Sequence, residues 1–253
     1  MGSRNVIEPR TGLLEIATVD HRAGCVICGA RVVYGKNARR TVCHYCGRES
    51  ESDARCSKGH YVCDECHSLP AKDIIARCCK ASKSKDPLAL ALTLMRNPAV
   101  KMHGPEHHFL VPAVLICAYH NVKGDCTSKS RQIDEASRRA QKVSGGFCGF
   151  QGACGTAVGT GIFVSVVTGA TPLSKEEWRL ANLMTARSLF RMAEHGGPRC
   201  CKRVTYLAIG EAVAFSAEKL GVDMKKPGEI NCQFRHMNQE CQKGKCPFYG
   251  KAE

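Results

Sequence analysis

Apolar positions recur at helical spacing from Asp86 to Leu220, and small or polar residues punctuate them. Asp86-Pro87 is an N-cap followed by proline at the first helical position, so LALALTLMR is expected to be helical. A second apolar helix is expected over Pro105–Asn121, bent at Pro112. Ser128–Val143 is polar with one apolar stripe, and Gly155–Thr168 is apolar and rich in small residues. Ser174–His195 opens with the capping-box pattern Ser174-x-x-Glu177 and stops at Gly196-Gly197-Pro198. Arg199–Leu220 is apolar on one face and stops at Gly221. Before Asp86 the pattern changes. One short strand is expected over Leu13–Val19, and residues 21–82 are dense in cysteine and histidine. The polar run KASKSKDP (Lys80–Pro87) marks a boundary. The expected fold class is α+β, divided into a module over 1–82, a mainly α-helical domain over 83–222 and an irregular tail over 223–253. No internal repeat or low-complexity tract is present.

Composition changes the picture at one residue type. Hydrophobic residues make up 43% of the 253, enough for a buried core, and aromatics only 6%, so that core rests on Leu, Val, Ile and Ala. The outlier is cysteine, at 18 residues. A disulfide scaffold belongs to short secreted chains, but MGSRNVIEPRTG holds no apolar h-region. Many of the cysteines form C-x-x-C pairs, which suit metal ligation in a reducing, cytoplasmic compartment. The longest apolar runs, Phe109–Tyr119 and Thr160–Thr168, fall short of the ~20 residues a bilayer needs. The formal charge of +14 raises nucleic acid or acidic partners. Thiolates on two zinc ions and one iron–sulfur core would lower it to about +9, which leaves a solvated basic surface as the simpler reading.

The densest run is Cys25-x2-Cys28-x14-Cys43-x2-Cys46-x9-Cys56-x3-His60-x2-Cys63-x2-Cys66. A C-x-x-C turn delivers two sulfurs to one tetrahedral ion, so these half-sites make two zinc sites with no coordination position left open. The stretch CSKGHYVCDEC resembles a RING or treble-clef zinc finger. The cross-brace of that class implies one zinc on Cys43, Cys46, Cys63 and Cys66, with Cys56 and His60 beginning the second. The closing C-x-x-C of the family is missing and only Cys78-Cys79 follows, so Cys25 and Cys28 are expected to complete the second site. The N-terminal module is therefore expected to be treble-clef or zinc-ribbon-like. His67 is expected at the surface or beside a ligand.

The glycine-rich stretch GGFCGFQGACGTAVGTGIFVSVVTG (Gly145–Gly169) places Cys148 and Cys154 beside glycines, where a cofactor can approach closely. Its glycines do not follow the G-x-G-x-x-G nucleotide fingerprint. With Cys200 and Cys201 these cysteines make four thiolates that would suit a [4Fe–4S] cluster if the flanking helices pack antiparallel. The stretch resembles the iron–sulfur L-serine dehydratases and the related cysteine desulfidases. Cys154, Val158-Gly159, the turn Gly169-Ala170-Thr171-Pro172, and Cys200 with Arg203 carry the likeness. That family has a further cluster cysteine between the two. None lies between Cys154 and Cys200 here, so Cys148 or Cys201 would replace it. The resemblance implies an open cluster iron acting as a Lewis acid, and elimination of water or sulfide from a small amino acid, or sulfur transfer. Such a reaction needs a base, and His103, His107, His108 and His120 lie on or near one helix. His107, His108 and Cys117 are the candidate catalytic residues, with His107 and Cys117 expected to face one cavity. The whole chain also resembles an uncharacterised cysteine-rich family of anaerobic prokaryotes associated with methyltransferases, a likeness that implies no mechanism.

The tail adds Cys232-x8-Cys241-x4-Cys246-Pro247. Three ligands leave one position open or borrowed, from His236 or Cys126; zinc and iron–sulfur both fit. The dehydratase resemblance also implies that a tail cysteine could reach back to the helical-domain cluster. Two functions follow. One is an oxygen-sensitive iron–sulfur lyase or sulfur-transfer enzyme with a small-molecule substrate. The other is a non-enzymatic zinc adaptor contacting a protein partner or, less readily, nucleic acid.

Overall fold

The computed structural model describes residues 25–28, 30–63, 66 and 69–250. The strand expected over Leu13–Val19 and the role expected of His67 lie outside the described residues. Among the described residues the architecture is mainly helical with one two-stranded antiparallel sheet. Strands β1 (Val32–Val42) and β2 (Glu49–Cys56) pair from Val32↔Cys56 to Val42↔Glu49, with a register shift between Tyr34 and Arg39. Cys43 and Cys46 lie in the turn between the strands, and Cys56 ends β2. Two of the ligand turns use a glycine in the left-handed region: Gly47 (φ +72°) after Cys46, and Gly59 (φ +87°) between Cys56 and His60.

Among the described residues from Leu69 onward, eight α-helices follow: α1 (Ala71–Ala81), α2 (Pro87–Met95), α3 (Glu106–Lys123), α4 (Lys129–Ala140), the single turn α5 (Phe147–Phe150), α6 (Gly155–Thr168), α7 (Glu176–Glu194) and α8 (Cys201–Leu220). The Asp86 carboxylate accepts the Ala89 N–H at 2.9 Å and caps α2, as its sequence demands. Helices α3, α6 and α8 end at left-handed Gly124, Gly169 and Gly221. The capping box at Ser174 does not form. Its hydroxyl turns back instead, accepting the Thr171 N–H at 3.0 Å to close the preceding turn, and Lys175 takes the N-cap position of α7. Helix α1 was not expected among the metal ligands. Ile74, Ile75, Cys78 and Cys79 form its buried face, so Cys78 and Cys79 are core residues.

Helix α3 is buried all round from Phe109 to Tyr119, and the other helices pack about it. Pro112 lies within it and lacks the N–H that would bond the His108 carbonyl. That freed carbonyl lies against Gly159 of α6, where a Cβ would stand 2.9 Å from both His108 O and Pro112 Cδ. On the opposite face of α6, a Cβ at Gly161 would meet the Ala181 carbonyl of α7 at 3.0 Å. The small residues of α6 therefore let it pass close to both neighbours. Among the described residues, no helix is long and apolar enough to cross a membrane.

Candidate metal centres and a cysteine-lined cavity

The knuckles bring eight ligand groups into two tetrads, Cys25/Cys28/Cys56/His60 and Cys43/Cys46/Cys63/Cys66, each with ligand atoms within 4.8 Å of one another. The pairs interleave along the chain, first with third and second with fourth. Cys28 and Cys56 Sγ are 3.5 Å apart, and Cys46 and Cys63 Sγ 3.9 Å. Four sulfurs at ~2.3 Å from a tetrahedral zinc stand about 3.8 Å apart, so both spacings suit one ion. Amide hydrogens prepare the sulfurs for negative charge. The Lys58 N–H donates to Cys56 Sγ at 3.3 Å, and the Cys63 N–H to Cys43 Sγ at 3.4 Å. Guanidinium groups add to this, Arg48 at Cys63 (3.5 Å) and Arg77 of α1 at Cys66 (3.8 Å). Burial alone would raise the Cys63 thiol. The Cys66 amide, Arg48 and the neighbouring thiols outweigh it and bring it down to about 7, while burial pushes Cys66 well up. Metal-free, the tetrad cannot hold four thiolates; a divalent ion allows all four to ionise.

A second cysteine-rich region is a cavity of about 370 Å³ between the N-termini of α6 and α8 and the end of α7. Cys148, Cys154, Cys200 and Cys201 all line it, together with His108, Arg199 and several glycines. Cys154 and Cys200 are the N-cap residues of two long helices, whose dipoles favour negative charge there. Cys148 is exposed on α5. Burial pushes the Cys201 thiol up to about 11, so as a free thiol it is a weak nucleophile, and a metal would be what ionises it. Arg203 holds the loop beneath, its Nη2 donating to Gly196 O (2.6 Å) and Pro198 O (2.9 Å).

Of the described histidines, only His108 lines this cavity. Its Nδ1 must donate to the Val143 carbonyl at 3.1 Å, leaving the Nε2 lone pair free, and burial lowers its pKa. A Cβ at Gly155 would strike the His108 ring, so the bare first turn of α6 makes room for the imidazole. The expectation that His107 and Cys117 face one cavity is corrected. His107 is fully buried, with Nδ1 on Gly104 O at 3.1 Å, and Cys117 donates to Ser82 O at 3.6 Å. Neither lines the cavity, because both project from α3 into the core. His103 is engaged by Asn238 (3.1 Å) and Glu240 (3.3 Å), and His120 by Asp125 O and Gln132. Arg199 was missed in the sequence. A cation at a helix start carries no periodic signal, and only the fold turns it toward the cavity.

His107 has a consequence for stability. Its Nε2 is buried without a hydrogen-bond partner, and burial, reinforced by Lys202, lowers its pKa well below 6.5. Below pH 6.5 the unfolded chain takes up this proton and the folded chain does not, so stability falls as pH falls. In His107→Asn the amide can keep the bond to Gly104 O. Between pH 7.5 and 5.5 its urea midpoint should fall less than that of the wild type. Equal slopes would show that His107 is not the titrating group.

A sequence model of a family of unknown function, DUF5714, matches residues 75–249. The chain belongs to that family. The cavity and the tail cysteines lie within the matched segment, and the two tetrads precede it. No curated protein and no solved structure gives a match.

Proposed function

We propose that this DUF5714 protein is a metal-dependent enzyme of lyase or sulfur-transfer type, acting on a small amino acid or thiol in the cysteine-lined cavity, with a treble-clef-like zinc module that is structural. The observation that carries this reading is the meeting of His108, Arg199 and thiols at two helix N-termini in one cavity. The tetrads are closed sites and offer a substrate no coordination position. In the cavity, Arg199 and the helix N-termini suit a substrate carboxylate. His108 Nε2 takes the proton from the carbon that is to become unsaturated, while hydroxide or hydrosulfide leaves from the neighbouring carbon. Cys148, Cys154 and Cys201 suit an oxygen-sensitive iron–sulfur cluster that keeps one iron free of protein. Such an iron supplies Lewis acidity to the leaving group. The glycines about the cavity leave space for a bulky inorganic core.

The test is turnover of L-serine, L-cysteine and simple thiols by protein purified without oxygen. His108→Gln should lower kcat by roughly 100-fold or more while leaving metal content unchanged. No turnover by metal-replete protein, or an unaffected His108→Gln variant, would remove the enzyme reading. One observation favours the adaptor instead. The hairpin segment exposes Lys36, Arg39, Arg55 and Lys58, and also Tyr34, which is 77% exposed. Steeply salt-dependent binding of nucleic acid, insensitive to His108→Gln, would support that second reading.

A further inference from the structure

The segment after α8 has little regular structure, only single 3-10 turns at Arg235–Met237 and Lys243–Lys245. It is nevertheless anchored. Phe234 is 1% exposed, Phe248 meets Tyr206 edge-on at 5.1 Å, and the Cys232 N–H donates to Phe248 O at 2.7 Å, closing the segment into a loop. Three cysteines of this loop, Cys232, Cys241 and Cys246, share one small void of about 20 Å³ with Cys200 from the start of α8. None of the four is in a disulfide.

We propose that Cys200, Cys232, Cys241 and Cys246 form a third metal centre, a four-thiolate site that staples the tail to α8. Four soft donors line one void beside Tyr206, Phe234 and Phe248; they are set wider than the ligands of the two tetrads, and such a set suits a thiophilic ion or cluster that draws them together. The Arg203 N–H donates to Cys200 Sγ at 3.5 Å, and its guanidinium bonds Gln242 of the tail, which places a positive charge beside an anionic centre. The other candidates for the fourth ligand stand elsewhere. His236 is exposed on a 3-10 turn, and Cys126 donates to Asn121 at 3.6 Å beyond the end of α3. A loop this poor in secondary structure gains most from a cross-link of this kind. Cys200 also borders the larger cavity, so the centre lies directly behind it. The proposal does not depend on that cavity being catalytic.

The test uses the full chain purified without oxygen. Metal and acid-labile sulfide are measured per chain for wild type, Cys241→Ser and Cys126→Ser. Cys241→Ser should lose one centre and Cys126→Ser should keep the full wild-type content. Loss of one zinc identifies a zinc site; loss of iron together with sulfide identifies a cluster. In parallel, wild-type protein is alkylated under native conditions and mapped by mass spectrometry. Cys232, Cys241 and Cys246 should react roughly tenfold or more slowly than exposed Cys126, and catch up once metal is stripped. A Cys241→Ser protein with the full wild-type metal content overturns the proposal. So do tail cysteines that react as fast as Cys126 in metal-replete protein, and this second arm decides even where the variant fails to fold.

Discussion

Replacing Cys66 by alanine should remove one zinc ion and open the region between Cys43 and Cys63, leaving the helical part of the chain folded. Cys66 is fully buried and is one of four ligands in its tetrad. The metal-free hairpin is poorly equipped to hold itself. β1 has no fully buried residue, and β2 has one, Cys56, itself a ligand. Its stability must come from the ions, and structural zinc contributes about 10 kcal/mol or more in comparable small modules. With three ligands the second tetrad keeps only part of this, and the loss should reach several kcal/mol. Metal analysis should fall by one zinc per chain, and limited proteolysis should cut within 43–63 while sparing α3. Cys78→Ala is the control. Cys78 is as buried as the ligands but lies in α1 outside both tetrads, so it should cost only packing, ~1–2 kcal/mol, with zinc unchanged. Unaltered zinc content in Cys66→Ala would refute the assignment of this tetrad.

The second large effect is expected at a helix crossing. Gly159→Val should destabilise the protein by about 3 kcal/mol. The added Cβ would stand 2.9 Å from the His108 carbonyl and from Pro112 Cδ, a backbone atom and a ring atom that cannot rotate away. Helices α3 and α6 must separate, and the backbone that carries His108 moves with them. The urea midpoint should drop, and on the enzyme reading activity should drop further than stability alone explains. Gly210→Ala in α8 gives the contrast. Nothing lies within 4 Å of a Cβ there, so the substitution should stabilise by about 0.5–1 kcal/mol through helix propensity alone. A Gly159→Val protein as stable as wild type would mean that α6 does not rest on α3 this closely.

Local chemistry was legible in the sequence wherever ligands or caps are close neighbours in the chain. C-x-x-C spacing marks the knuckle pairs because a single tight turn delivers both sulfurs to one ion. Asp86-Pro87 marks the start of α2, and Gly221 the end of α8, because capping needs only the residues beside it. Even so, Ser174 shows that a local pattern can lose to a local competitor, here the turn at Thr171. Helix α1 went unread because its apolar face includes Cys78 and Cys79, and periodicity cannot tell a buried thiol from a ligand.

The tertiary structure decided what depends on direction and distance. His107 and His108 are neighbours in sequence, yet 3.6 residues per turn rotates them about 100° apart on α3, so one enters the core and the other the cavity. Cys200 and Cys232 are separated by all of α8 and meet only because the tail folds back along that helix. Spacing along a chain determines which groups can share a ligand locally. Which distant groups do share one is set by the packing of α3, α6 and α8, the result of many weak contacts that no short stretch of sequence displays.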